Sequence, residues 1–225
     1  MIIGNIDVWK CRIAMTTTES LPLFLVSVIA ISLTGVMMPG PVTAVTITRG
    51  SLRKEAGALI ALGHGIIEIP LIFLIYLGFA NFLTQPEVKI GFGLAGGAML
   101  LWMGFSMFKN RFASLNVQKD APHGSVVAGL ATTAANPYFF LWWATVGAAL
   151  LVNASDYGKT GVLAFGATHW LCDLVWLFFI SWVVFKSKRL WTPKVSGVVF
   201  GICAAVLAGF GAWFIYSSID LALSL

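Results

Sequence analysis

Six long runs of mostly apolar residues constrain the fold of this chain more than any other feature of its sequence. They cover roughly residues 22–48, 57–82, 90–108, 124–151, 161–185 and 195–216, and none holds more than one charged residue. About 20 apolar residues in a helix span the hydrocarbon core of a bilayer. With 59% hydrophobic and 10% charged residues, the composition also lies outside the range of a soluble domain. The sequence predicts an all-α membrane protein with six transmembrane helices.

The basic residues between these runs predict how the chain is oriented. Ten of them fall on one side of the predicted bundle and four on the other, and the side richer in Lys and Arg faces the cytoplasm. We therefore expect a multi-pass protein of the plasma or inner membrane with both termini outside the cytoplasm. The net charge of +5 reflects this topology signal, and nothing in it favours nucleic-acid binding.

The two halves of the chain resemble each other. His64 aligns with His169 and Glu68 with Asp173 at an offset of 105 residues, and glycines of the third and sixth runs follow the same offset. Three helices per half is an odd number, so the second half enters the membrane upside down. Such inverted repeats are common in secondary transporters, which place the substrate between the halves near the midplane.

The repeat also predicts the domain boundaries. We expect a first three-helix repeat at 21–108 and a second at 124–217, joined by a cytoplasmic linker at 109–123. Residues 1–20 are expected to form a flexible tail, and residues 218–225 a short C-terminal tail.

Prolines interrupt the first and fourth runs. Pro39 and Pro41 flank Gly40 in the first, and Asn136 precedes Pro137 in the fourth. A proline inside a helix removes a backbone hydrogen bond, and lipid cannot satisfy the freed carbonyl, so both breaks should face protein or a cavity. Proline after a capping residue also starts a new helix, whose first N–H groups attract a carboxylate. We expect unpaired N–H groups on Val42, Thr43, Ala44, Tyr138 and Phe139.

Four ionisable residues lie within the apolar runs. His64 and Glu68 are four residues apart, as are His169 and Asp173, so each pair shares one helix face. Charges at membrane depth are costly and usually mark a transport pathway. Because histidine titrates near neutral pH, the four groups are candidates for proton coupling. Two alternatives remain open: a pair of structural contacts, or an oxygen and nitrogen site for a divalent metal.

The breaks and the ionisable groups together define the predicted site. The residues expected to bind substrate are Pro39, Gly40, Pro41, Thr43, Asn136, Pro137 and Tyr138, and those expected to couple protons are His64, Glu68, His169 and Asp173. We expect all of them to line one cavity. Six tryptophans are expected to include anchors at the membrane–water interface: Trp142, Trp143, Trp176, Trp182, Trp191 and Trp213.

These residues resemble the LysE/RhtB family of amino-acid exporters. The likeness rests on Pro39-Gly40-Pro41, on Arg49, Gly50 and Gly57 around the first basic loop, and on Asn136-Pro137, and it covers most of residues 21 to 217. It implies export of amino acids or similar small metabolites in exchange for protons by a protein that forms a homodimer.

Other functions have less support from the sequence. Two His and two carboxylates suit a divalent metal-ion exporter, and they suit, more remotely, an intramembrane zinc hydrolase, although no H-E-x-x-H motif is present. No P-loop is present for ATP-driven transport and no cysteine pair for redox chemistry. We expect a transporter without a cofactor rather than an enzyme.

Overall fold

The structure, a computed structural model, describes residues 20–79, 82, 85–112 and 122–225. These residues form helices and turns, with no strand among them. In chain order the helices are α1 (Leu21–Val36), α2 (Pro41–Gly50), α3 (Ala56–Leu74), α4 (Pro86–Lys109), α5 (Pro122–Ala134), α6 (Pro137–Ser155), α7 (Gly158–Lys186) and α8 (Pro193–Leu223). The chain continues past α3 through Ile75–Phe79, where Gly78 has a positive φ of 105° and kinks the backbone, and a π-helical turn, Trp143–Gly147, lies within α6.

The number of candidate membrane spans agrees with the sequence. Five helices, α3, α4, α6, α7 and α8, are long and apolar enough to cross a bilayer, and there are six candidate spans if the bent pair α1 and α2 is counted as one. Large apolar side chains on the outside of the bundle are exposed, among them Trp102, Phe105 and Trp213, as expected of a surface that faces lipid. The prediction of an all-α membrane protein is confirmed.

The predicted boundaries differ from the helices in two places. Residues 218–223, expected to belong to a C-terminal tail, continue α8 to Leu223 because no proline or glycine follows Gly211. The expected linker 109–123 is partly helical, since Lys109 ends α4 and Pro122 begins α5. Residues 113–121 of that linker, and residues 1–19 of the expected N-terminal tail, lie outside the described residues.

Both proline motifs stand where one helix ends and another begins. The helix of α1 ends at Val36, and α2 begins at Pro41 with its axis bent by 80°. In the other half, α5 ends at Ala134 and α6 begins at Pro137. Pro41 and Pro137 occupy the first turn of the new helices, where the missing N–H of a proline costs nothing.

Glycines allow the central helices to pack with their backbones in contact. A side chain at Gly63 of α3 would overlap the backbone of Val126 in α5, and one at Gly129 of α5 would overlap the carbonyl of Ile60. Between α4 and α8, a Cβ added at Gly97 would lie 2.7 Å from the carbonyl oxygen of Gly211. Small residues at such crossings are typical of membrane bundles, where close van der Waals packing drives association.

The packing of the helices follows a paired pattern. Helix α3 packs on α5, while its counterpart α7 packs on α1, so each half's second helix contacts the other half's first helix. The two counterparts α3 and α7 contact each other, and so do α4 and α8. The ionisable residues of the second and fifth spans are therefore brought to the centre of the bundle from opposite halves.

We expect Gly129→Ala to destabilise the protein, because its methyl group would meet the backbone of α3 at a crossing with no room to relax. Overpacking of this kind costs about 1–3 kcal/mol, measurable as a lower Tm of the purified protein in detergent. The control is Gly209→Ala on α8, where nothing lies within 4 Å of the added Cβ, and its Tm should be unchanged or higher. Equal Tm values for the two variants would contradict this account of the crossing.

Candidate functional site

A fully buried carboxylate, Glu68, is the centre of the candidate site. Its Oε1 lies 3.1 Å from Nε2 of His64 and 3.2 Å from Nε2 of His169, and it accepts a third hydrogen bond of 3.3 Å from Nε1 of Trp143. Glu68 has no exposed surface. Helices α3, α6 and α7 each contribute to this one oxygen, so the contact joins both halves of the chain.

Asp173 completes the cluster at longer distances. Its carboxylate oxygens lie 3.9 Å from Nε2 of His64 and 3.7 Å from Nε2 of His169, beyond hydrogen-bond length. Its Oδ2 has no hydrogen-bond partner, and neither has Oε2 of Glu68. Buried polar atoms are rarely left unpaired in proteins, and each such case asks for an explanation.

The far side of each imidazole is held by a hydroxyl group of the opposite half. Nδ1 of His64 lies 2.8 Å from the hydroxyl of Thr133 in α5, and Nδ1 of His169 lies 2.8 Å from the hydroxyl of Ser32 in α1. In a neutral ring with its proton on Nε2, Nδ1 accepts the hydroxyl proton, and in a protonated ring Nδ1–H donates to the hydroxyl oxygen. The hydroxyls therefore aim both Nε2 atoms at the carboxylates.

Aromatic rings enclose the histidines. The Trp142 ring stacks on His169 with centroids 4.7 Å apart, and Trp143 meets the same imidazole edge-on at 5.1 Å. Phe139 contacts His64 edge-on at 5.2 Å. The expectation that Trp142 and Trp143 anchor the protein at the membrane interface is wrong, because they are 9% and 1% exposed inside the bundle.

A cavity connects the cluster to both helix interruptions. Its volume is about 80 Å³, which is several times the space that one water needs. Of the predicted site residues it is lined by Pro39, Gly40, Pro41, Thr43, Asn136, Tyr138, His64, Glu68, His169 and Asp173.

Pro137 is the predicted residue that the structure places apart from the cavity lining. Its ring lies against Gly96 of α4, where an added Cβ would come within 2.5 Å of the ring. Pro137 therefore serves the packing of α6 against α4, while its neighbours Asn136 and Tyr138 line the cavity.

Most of the N–H groups expected to be unpaired at the new helix starts have partners. The amide of Ala44 donates to the carbonyl of Gly40, that of Phe139 to the carbonyl of Asn136, and that of Tyr138 to the side-chain Oδ1 of Asn136. The expectation for these three amides is wrong because the first carbonyl of each helix and the asparagine cap already accept them. Val42 and Thr43 of α2 line the cavity.

Ser32 and Thr133 could not be recognised as site residues from the sequence. Each is a hydroxyl residue within an apolar run, but Thr132 and Thr34 have the same character and their hydroxyls bind carbonyls of their own helices. Only the packing of α5 on α3 and of α1 on α7 shows which hydroxyl reaches an imidazole.

The cluster also has the ligand types of a metal site. One ligand atom from each of His64, Glu68 and Asp173 can be chosen so that all lie within 4.8 Å of one another. Nitrogen and carboxylate ligands of this kind suit Zn²⁺, Mn²⁺ or Ni²⁺. An ion here would have to replace the hydrogen bonds between the imidazoles and Glu68.

Comparison with known proteins gives one family and two relatives. Residues 33–218 match the family described as LysE type translocator. The chain is 27% identical over 186 residues to "Putative amino acid efflux protein YcgF" of Bacillus subtilis (strain 168), covering 80% of this chain and 89% of that protein. It is 28% identical over 181 residues to "Chemotactic transduction protein ChpE" of Pseudomonas aeruginosa, covering 76% of this chain and 88% of that protein. No solved structure gives a significant match.

We expect Thr133→Val to destabilise the protein by about 1–3 kcal/mol, because the isosteric side chain leaves a buried imidazole nitrogen unpaired. The matched control is Thr132→Val, since the neighbouring hydroxyl binds only backbone carbonyls of its own helix. The measurement is the free energy of unfolding in mixed detergent micelles. An equal decrease in the free energy of unfolding for the two variants would contradict a role for Thr133 in holding His64.

Proposed function

This chain belongs to the LysE type translocator family, and from this premise we propose that it exports amino acids or similar small metabolites in exchange for protons. The family consists of transporters, so the chain is a multi-pass membrane transporter and not an enzyme. Its partners are the lipid bilayer and a small-molecule substrate. The intramembrane zinc hydrolase considered from the sequence is excluded by this membership.

One observation carries the proposal: the four ionisable residues line the same cavity as both helix interruptions. Transporters commonly bind substrate near the midplane at interrupted helices. Here Gly40 and Asn136, the residues before the two new helices, line one space with Glu68 and Asp173. A proton site and a substrate site in one cavity is the simplest arrangement for exchange.

The need to balance charge within the cluster couples the binding of protons to the binding of the cargo. An unbalanced charge at membrane depth costs about 2.5–3.5 kcal/mol or more, so the cluster favours states in which its charges cancel. Two protonated imidazoles balance Glu68 and Asp173. When one imidazole loses its proton, a single cationic group of the cargo restores the balance. Protons and a cationic cargo therefore compete for one site, which is the requirement of an antiporter.

The cargo's other polar groups meet the helix starts. An amino acid carboxylate is attracted to the first turn of α2, where Val42 and Thr43 line the cavity. The side-chain nitrogen of Asn136 provides a further donor, since its oxygen is occupied by the amide of Tyr138.

An inverted repeat, as the sequence predicts, would allow alternating access to this cavity. Equivalent contacts occur in both halves, with Thr133 holding His64 and Ser32 holding His169. A small rotation of one half against the other would exchange the open side, as in other inverted-repeat transporters. We place the basic loops after α2, α4 and α7 in the cytoplasm, which puts both termini outside.

Export is the direction we propose, and it follows from the relatives. One of them is named for amino acid efflux. With an inward proton gradient, proton entry supplies the free energy for this direction, including about 2.3 kcal/mol per charge per 100 mV of membrane potential.

A divalent metal ion is the second candidate cargo. It is favoured by the closeness of the ligand atoms of His64, Glu68 and Asp173, within 4.8 Å of one another. The helix interruptions favour the organic cargo, because a metal held by side chains does not need the N–H groups of a new helix.

We expect Glu68→Gln and Asp173→Asn each to reduce pH-driven export in proteoliposomes by about tenfold or more, because a neutral amide cannot balance the imidazole charges. The control is Glu87→Gln, whose side chain lies exposed in the first turn of α4 and should leave export unchanged. Full pH-driven export by both site variants would refute proton coupling through this cluster.

Metal analysis of the purified protein separates the two cargo classes. For the organic cargo we expect no stoichiometric Zn²⁺ or Mn²⁺ bound after dialysis against micromolar metal, and stabilisation by particular amino acids or amines. For the metal cargo, bound metal would be stoichiometric and would be lost in His64→Ala. The second result would replace the organic proposal.

A further inference from the structure

The carboxylates and the imidazoles that line the cavity differ in how readily they can bind a ligand. The described lining residues include two carboxylates and two imidazoles but no lysine or arginine. Both imidazoles already have partners on both ring nitrogens, since each Nε2 meets Glu68 and each Nδ1 meets a hydroxyl. The charged group that remains free to bind a ligand is therefore a carboxylate, which favours a cationic ligand.

The two carboxylates differ in how firmly they are engaged. Oε1 of Glu68 receives three donors, from His64, His169 and Trp143. Asp173 has only the two long contacts of 3.9 and 3.7 Å, and its buried Oδ2 has no hydrogen-bond partner. The Oε2 atom of Glu68 also lacks a partner, but Glu68 has no exposed surface, whereas Asp173 is 6% exposed at the cavity. Glu68 therefore positions the imidazoles, and Asp173 is the carboxylate more accessible to a donor from a ligand.

The rest of the cavity wall is largely aromatic. Tyr138, Phe139, Trp142, Trp143 and Phe210 line it. Tyr138 and Phe210 contact each other edge-on at 5.7 Å, so they form a continuous surface. Aromatic faces favour an apolar body and also attract a cation placed over the ring.

A ligand carboxylate finds weaker partners than a ligand cation. Three amides at the helix starts, on Ala44, Tyr138 and Phe139, already donate within the protein. What remains at the cavity for an anion is the first turn of α2 and the amide nitrogen of Asn136, which are partial charges rather than full ones.

We propose that the cargo is a small organic ammonium with a bulky apolar, preferably aromatic, body, and that Asp173 is its counter-ion. This class includes aromatic amino acids and the corresponding amines without a carboxylate. The inference rests on the proposed export function and narrows its substrate class. The ammonium donates to Asp173, the ring packs against Tyr138, Trp142 and Phe210, and a carboxylate adds little to affinity.

Four compounds test this assignment. They differ in whether they carry an ammonium group, a carboxylate and an aromatic ring. Isothermal titration of the purified wild-type protein in detergent compares phenethylamine, phenylalanine, phenylpropionate and ethylamine. We expect phenethylamine and phenylalanine to bind with Kd values within about threefold of each other, and phenylpropionate and ethylamine to bind about tenfold or more weakly. Phenylpropionate binding as tightly as phenethylamine, or ethylamine doing so, would overturn the proposal.

Two carboxylate variants, one at the cavity and one on the outer surface of the bundle, locate the binding site. Asp173→Asn should weaken phenethylamine binding by about tenfold or more, while Asp220→Asn, at an exposed carboxylate of α8, should leave it unchanged. Phe210→Ala should weaken phenethylamine binding but not ethylamine binding. Unchanged phenethylamine affinity in Asp173→Asn would overturn the assignment, and if that variant does not fold, the four compounds on the wild-type protein still decide.

Transport in proteoliposomes separates this inference from the function on which it rests. Efflux of a non-aromatic or anionic metabolite, driven by a pH gradient, with no competition by phenethylamine, would refute the substrate class and leave proton-coupled export standing. Tight phenethylamine binding without proton-driven efflux of any of the four compounds would refute the export function and leave the binding site standing.

Discussion

Three donors converge on one oxygen of Glu68, and the arrangement of the bundle depends on that contact. A carboxylate at membrane depth is stable only with such partners. They come from three helices: His64 from α3, Trp143 from α6 and His169 from α7. To bring them together, α3 and α7 must cross at the centre, and glycines such as Gly63 and Gly129 let α5 approach α3 closely enough for Thr133 to reach His64.

The interrupted helices give this cluster access to a ligand. The chain bends by 80° between α1 and α2, and residues at this bend line the cavity beside the cluster. Each interruption is stabilised locally, by proline at the first helical position and, in the second half, by the Asn136 cap on the amide of Tyr138. The polar groups that the breaks expose are placed where a ligand, rather than lipid, can meet them.

Much of this could be predicted from the sequence. Apolar run length determined the spans, and four-residue spacing put His64 with Glu68 and His169 with Asp173. Other features depend on three-dimensional packing. Nothing in the spacing shows that both imidazoles turn to Glu68 and leave Asp173 with a free oxygen. Ser32 and Thr133 look like their neighbours in sequence, and Trp142 and Trp143 look like interfacial anchors, until the crossing of the helices brings them to the histidines.

The central claim is that one cavity, between the two interruptions and the His–carboxylate cluster, holds the transported compound. An experimental structure of the protein with an exported compound bound tests it most directly. We predict density for the compound between Gly40 of the first interruption and Asn136 of the second, with a polar group within hydrogen-bond distance of Asp173. A compound bound elsewhere, for example on the outer surface of the bundle, with all four ionisable residues in contact only with protein groups, would contradict the account.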